Sequence, residues 1–292
     1  MILRDKPGIL ALLFAVRGSV LPVIAPQLVF VALFSAAIVA IDRHLLTLPH
    51  VQAAPLAVFG VALSLFLGFR NNAAYDRWWE ARRLWGGLLA DARSIAREAE
   101  LFLPDPQDRR RLLTAMRAFL NQHRCALRGL PPDEPARRDA PAEPTPDATL
   151  DAMGVLLADA LRAGRMDGFG ARTLSTRLST IALAQAGCER IKLTLLPYVY
   201  SLLIFRTSWL YCLLLPFALL DPTGWLTPLF AVIVAYTFFG LAEVTEELAH
   251  PFGLTANALP LDAICRTAEI SLAPHLGEAA PPPLMPVDYR LD

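Results

Sequence analysis

Nothing between Val51 and Phe69 carries a charge, and at Arg70 the chain turns polar at once, with Asn71, Asn72, Asp76 and Arg77 close behind. A run of ~20 uncharged residues, rising 1.5 Å per residue, is long enough to cross the hydrocarbon core of a bilayer as a helix. Two ridges share this helix. Gly60, Ser64 and Gly68 recur at every fourth position, with Val61, Leu65 and Phe69 beside them. Small residues let helices approach closely, and the larger ridge then crowds a shared axis. That geometry can enclose a water-filled path with a dry constriction. The triplet serves equally well against lipid or a neighbouring helix, and spacing alone favours that plainer use.

Composition agrees with a membrane protein that carries a polar part. Apolar residues make up 55% of the 292 and charged residues 18%, with a mean hydropathy of +0.42. Soluble domains lie nearer ~45–50% apolar. The charges cluster at 70–111 and 131–147. A net charge of +0 gives no electrostatic footprint for nucleic-acid binding. Cys125, Cys188, Cys212 and Cys265 have no CxxC spacing and read as free buried thiols. The apolar stretch Gly8 to Val16 is short and lacks a cleavage signature, so it reads as an interfacial helix and not a cleaved leader.

Four apolar spans stand out, at 19–41, 51–69, 193–220 and 224–249. Arg4, Lys6 and Arg17 precede the first. Arg70, Arg77, Arg82 and Arg83 follow the second, and Arg190 and Lys192 precede the third. The short connections hold few cations, so the positive-inside rule places both termini and residues 70–192 in the cytoplasm. The division expected is 1–69 (interfacial helix and the first two spans), 70–192 (cytosolic helices), 193–249 (two further spans) and 250–292 (cytosolic segment and tail).

The cytosolic part shows helical periodicity at 74–104, 106–128, 148–165 and 170–192, the last running on into the third span. Residues 131–148 hold six prolines and many charges and read as a mobile surface loop. The tail beyond Pro274 is proline-rich and reads as extended. No strand and no internal repeat is expected.

Several residues invite chemistry. Arg206 lies within an apolar span, where an arginine costs at least ~2.5 kcal/mol on insertion scales. Glu243, Glu246 and Glu247 are its possible partners, and a structural ion pair is favoured over a permeation role. Arg77, Trp78 and Trp79 suit an interfacial anchor or an interhelical core. His123 and Cys125 are too few for a metal site, and no catalytic motif is present, so neither an enzyme nor a cofactor is expected.

Three motifs in order carry a resemblance over most of the chain. LFLGFRNNAAYDRWWEARRLW, at 65–85, closely resembles the second membrane helix of bestrophins. HPFG, residues His250, Pro251, Phe252 and Gly253, is similar to that family's PFG signature, and GCERIKLTLLPYVY at 187–200 to the entry into its third helix. The resemblance implies an all-α homopentamer, four membrane helices per subunit, a helical cytosolic domain and a central pore. It places the pore neck on Val61, Leu65 and Phe69, and a cytosolic aperture in 173–184, on Ile181 or Leu178. Arg70, Asn71, Asn72 and Asp76 then line a vestibule below the neck. Animal members follow PFG with an acidic calcium-binding run, whereas here one acid, Asp262, follows. Calcium wants six to eight oxygens, so no calcium gate is expected.

The reading is a bacterial inner-membrane channel that passes small monovalent ions, anion or cation, with lipids and further copies of itself as partners. A secondary transporter and a membrane-anchored interaction protein are the alternatives.

Overall fold

No proline falls between Pro55 and Pro104, and nothing in that interval removes a backbone donor from a helical ladder. The computed structural model, described at residues 1–2, 8–9, 15–16, 18–138 and 145–292, accordingly has one unbroken helix there. The helices are α1 (Leu21–His44), α2 (Ala53–Phe102), α3 (Pro106–Arg128), α4 (Glu134–Arg137), α5 (Pro146–Arg162), α6 (Gly168–Leu193), α7 (Tyr198–Thr223), α8 (Thr227–Ala249) and α9 (Leu261–Leu276). Among the described residues β pairing is confined to isolated bridges, Ile2 with Arg290 and Val287 with Arg290. The fold is all-helical, as expected.

The chain divides into two compact units. The apolar unit comprises residues 5–78 and 195–250, and the polar unit 1–4, 79–194 and 251–292. Among the described residues three helical stretches are long and apolar enough to cross a membrane: Leu21–His44 and Tyr198–Ala249, which lie in the apolar unit, and Ala53–Phe102, which begins there. The third is two helices, α7 and α8, joined by a 3-10 turn at Gly224–Leu226. Trp209 meets Phe239 at 5.0 Å between ring centroids and Tyr211 meets Phe238 at 5.2 Å. Residues rising along α7 thus meet residues falling along α8, and the pair is an antiparallel hairpin. Ile24, Leu28 and Val31 of α1, Leu56, Leu63 and Leu67 of α2, Ile204 and Cys212 of α7, and Ala231 and Ala235 of α8 share one core.

The polar unit is cut by explicit stop and start signals. Asp105 accepts from Gln107 N at 2.8 Å and Pro106 opens α3, which ends at Gly129 with φ +69°. Thr145 caps α5 and Asp167 caps α6. A side-chain acceptor on an orphan N–H, with proline at the first turn, is the usual grammar of a helix start. The core holds Trp85, Leu88, Leu112, Met116, Phe119, Met153 and Leu174, all essentially inaccessible. His123 lies flat between Trp85 (5.5 Å) and Phe119 (5.7 Å). Burial holds its pKa down at about 3, so the ring is neutral.

Three expectations are corrected. Helix α6 does not run on into α7: it stops at Leu193, and Pro197 stands as the cap of α7, since the residue before a proline is pushed out of the helical region. Helix α9 continues past Pro274 to Leu276, and Gly277 at φ +67° ends it. The proline loop is partly structured. Asp133 accepts from Ala136 N at 3.1 Å to start α4, and the buried Gln122 donates to Ala136 O at 3.1 Å. Residues 139–144, and most of the stretch read as an interfacial helix, lie outside the described residues. The four cysteines are buried and free, and burial pushes the Cys188 thiol up to about 12.

Candidate functional site

The first half of α2 has two faces set by the helical period. Leu56, Gly60, Leu63, Leu67, Arg70 and Ala74 are buried. They recur at alternating steps of three and four, as one face of a 3.6-residue helix requires. Opposite them stand Val58, Val61, Leu65, Phe69, Asn72 and Asp76, all exposed. Val61 is 71% exposed, Leu65 58% and Phe69 61%. Large apolar side chains one turn apart thus point away from the core of the chain, and the line they draw continues into an amide and a carboxylate.

The four polar residues below the triplet do not act together. Asn72 and Asp76 extend the outward line, but Arg70 and Asn71 turn to the packed side. Arg70 is buried and donates to Glu246 Oε2 at 2.7 Å and to Ser201 Oγ at 2.9 Å. Asn71 Oδ1 accepts from Thr245 Oγ1 at 3.4 Å. Adjacency in sequence grouped them, whereas a helix separates neighbours by 100°.

Arg206 is also placed differently from expectation. It lies exposed on α7, opposite the face that buries Ile204, Ser208, Cys212 and Leu215. Neither it nor Glu243 has a hydrogen-bond or ion-pair partner among the described residues. Arg70, and not Arg206, is the arginine that pairs with Glu246, which sequence missed. Its signal was available: Arg70 falls on the Leu63–Leu67 face, so its head group had to meet an acid inside.

The ridge of small residues works at one point. A Cβ on Gly60 would lie 2.8 Å from Tyr211 Oη, while one on Gly68 meets nothing within 4 Å. Ser64 Oγ donates back to Gly60 O at 2.8 Å. Because Arg70 meets Ser201 and Gly60 meets Tyr211, α2 and α7 run antiparallel and Arg206 is level with Leu65.

Arg77 Nε donates to Ala249 O at 2.7 Å and closes the C-terminal end of α8. A cation at that end satisfies an orphan carbonyl and opposes the helix dipole. Trp78 is half-buried and Trp79 exposed. His250 is the cap of α8, its Nδ1 3.0 Å from Glu246 O. Pro251 and Phe252 are buried in the polar unit, Gly253 is half-buried, and Pro251 O accepts from Leu259 N at 2.8 Å.

On α6, Ile181 is fully buried within its own unit. It belongs to the inward face with Leu174 and Cys188 and is not available to a shared aperture; this corrects the expectation. Leu178 is half-buried, and Leu183, between the exposed Phe169 and Leu193 at the helix ends, is 73% exposed. Asp262 accepts from Arg128 at 2.6 Å and from Arg124. Its burial opposes ionisation, but the two guanidinium hydrogen bonds outweigh it and hold the carboxyl below the usual range.

Known proteins resemble this chain in sequence and fold. Residues 1–274 match the family model described as bacterial/fungal bestrophin protein. A voltage-dependent anion channel-forming protein of Mesorhizobium japonicum is 46% identical over 99% of this chain and 96% of its own length. Another so named, YneE of Escherichia coli K12, is 38% identical over 97% and 96%. The crystal structure of a bacterial bestrophin homolog from Klebsiella pneumoniae superimposes with a TM-score of 0.82 at 34% identity, covering 88% of this chain and 99% of that one. This chain belongs to the bacterial and fungal bestrophin family.

Proposed function

We propose that five copies of the chain form an anion channel of the bacterial inner membrane, with α1, the first half of α2, α7 and α8 crossing the bilayer and both termini cytoplasmic. The outward face of α2 lines a central path. Val61, Leu65 and Phe69 make its neck, and Asn72 and Asp76 the wall below. The observation that carries this reading is the exposure of those three apolar side chains on the face opposite the subunit core.

An ion in an apolar ring finds no ligand to replace its water, so a narrow ring is a hydration barrier and a wide one fills and conducts. Valine and leucine at the first two levels are small enough to favour wetting. Such a ring does not choose the sign of charge. The anion preference rests on the names of the relatives, and Arg70 adds little to it because Glu246 neutralises the guanidinium. Arg206 supports assembly. An arginine level with Leu65 and exposed on its own subunit would cost at least ~2.5 kcal/mol against lipid, and a neighbouring subunit or a wet surface removes that cost. Asp262, with both oxygens committed to arginines, is no calcium ligand, which supports opening without a calcium clasp.

The test is the triple substitution of Val61, Leu65 and Phe69 by alanine in planar bilayers. Unitary current and open time are expected to rise, with chloride reversal potentials setting the sign of selectivity. Unchanged currents would refute the neck.

A further inference from the structure

A cavity of 420 Å³ opens in the apolar unit among α1, α2, α7 and α8, and its charges do not balance. Arg70 and Glu246 neutralise each other at 2.7 Å. Glu243, on the same wall, has no ion-pair or hydrogen-bond partner among the described residues. The cavity therefore holds one carboxylate in excess at a depth where an unmatched charge is costly.

The remaining walls suit a cation with an organic body. Tyr198, Phe205, Trp209 and Phe239 line the space, and aromatic faces attract ammonium groups, more strongly when desolvated. Polarity is also ordered along the cavity. Tyr198, Ser201 and Glu246 stand at the end nearer the start of α7. Ser208 and Trp209 stand further along it, about 10–12 Å from Ser201 and about 15–16 Å from the helix start at Tyr198, at 1.5 Å per residue. At that inner end Ser208 Oγ and Trp209 Nε1 are buried donors without acceptors among the described residues. An unused buried donor is costly and calls for an acceptor.

The geometry points to a site for the headgroup of an aminophospholipid from the cytoplasmic leaflet. The primary ammonium pairs with Glu243 between the aromatic faces, and phosphate or ester oxygens, which follow the amine deeper into the leaflet, meet the Ser208 and Trp209 donors. The inference rests on the membrane placement above but not on the pore. A free lipophilic amine shares the ammonium chemistry and lacks the oxygens.

The experiment uses the purified full-length chain, stripped of lipid in mild detergent. Binding is read by native mass spectrometry with phosphatidylethanolamine, phosphatidylglycerol and dodecylamine as separate probes. Phosphatidylethanolamine is expected to bind about tenfold more tightly than phosphatidylglycerol, a difference of ~1.4 kcal/mol. Glu243→Gln, nearly isosteric and checked for unchanged elution on size exclusion, is expected to abolish that preference. Phe205→Leu is expected to weaken it about threefold. Dodecylamine binding that is weaker than the lipid's and sensitive to Glu243→Gln supports the ammonium contact and assigns the remainder to the oxygens. Dodecylamine binding as tightly as the lipid would overturn the assignment to a phospholipid headgroup. Equal binding of the two phospholipids, or a preference unchanged in Glu243→Gln, would overturn the site altogether. Because the readout is binding and not conductance, the site can fail while the channel stands, and the channel can fail while the site stands.

Discussion

The two units bury side chains by different rules. In the polar unit large residues such as Trp85, Phe119 and Met116 are essentially inaccessible, and the surface carries ion pairs, among them Arg177 with Asp91 at 2.9 Å and with Glu98 at 2.5 Å. The apolar unit leaves Val58, Val61, Leu65, Phe66 and Phe69 open on one helix while placing Arg70 inside. Water rewards the first arrangement, since burying apolar area is the main driving force for folding there. Lipid removes that incentive, so helices choose their faces by close packing and by the need to pair buried polar groups. Large apolar side chains therefore matter most for stability in one unit and, in the proposed channel, for assembly and passage in the other.

The sharpest way to break this contrast is to truncate equivalent side chains in both units. Phe119→Ala is expected to cost about 3–5 kcal/mol, the range for losing a buried aromatic ring, seen as a large fall in melting temperature in detergent. If melting were unchanged, the core assignment of the polar unit would be wrong. Gly60→Ala comes next. The new methyl must displace the Tyr211 ring, itself held between Phe59 and Phe238, and overpacking costs about 1–3 kcal/mol. Gly68→Ala, with open space around it, should be neutral or slightly stabilising by helix propensity. Equal effects at the two glycines would contradict the packing of α2 on α7.

Acid should act on the polar unit through His123. The folded state holds it neutral down to about pH 3, whereas the unfolded chain protonates near 6.5. The unfolded state takes up its proton first, so this contribution to stability is lost as the pH falls from 6.5 toward 3. His123→Phe is expected to flatten that part of the profile in a pH series of melting curves, and an unaltered slope would show that the ring is not buried neutral. The smallest effect belongs to the outward face. Leu65→Ala should change the stability of the subunit by no more than about 0.5 kcal/mol, as at other surface sites, while altering conduction. A cost of several kcal/mol would mean that Leu65 packs within its own subunit.

What sequence could tell differs between the units for the same reason. In the polar unit, periodicity places helices at 74–104, 106–128, 148–165 and 170–192, near the observed boundaries at Phe102, Pro106–Arg128, Pro146–Arg162 and Gly168–Leu193, because a helix in water keeps an apolar and a polar face. The apolar helices are hydrophobic all round, so their pattern shows that they are buried or in lipid but not which face meets which neighbour. Arg206 was therefore assigned an ion pair that belongs to Arg70, and the vestibule was drawn from consecutive residues when the helix divides them between two faces. The neck triplet was legible as spacing, and the resemblance to bestrophins gave it a role. Ile181 failed because an error of two residues, about half a turn of α6, exchanges the outward face, where Leu183 stands, for the core.

Cryo-electron microscopy of the purified full-length chain in lipid nanodiscs addresses the central proposal directly. The account predicts five-fold symmetry, with Val61, Leu65 and Phe69 from every subunit converging on a common axis. Leu65 and Phe69 turned toward the surrounding lipid, or particles without rotational symmetry, would contradict it.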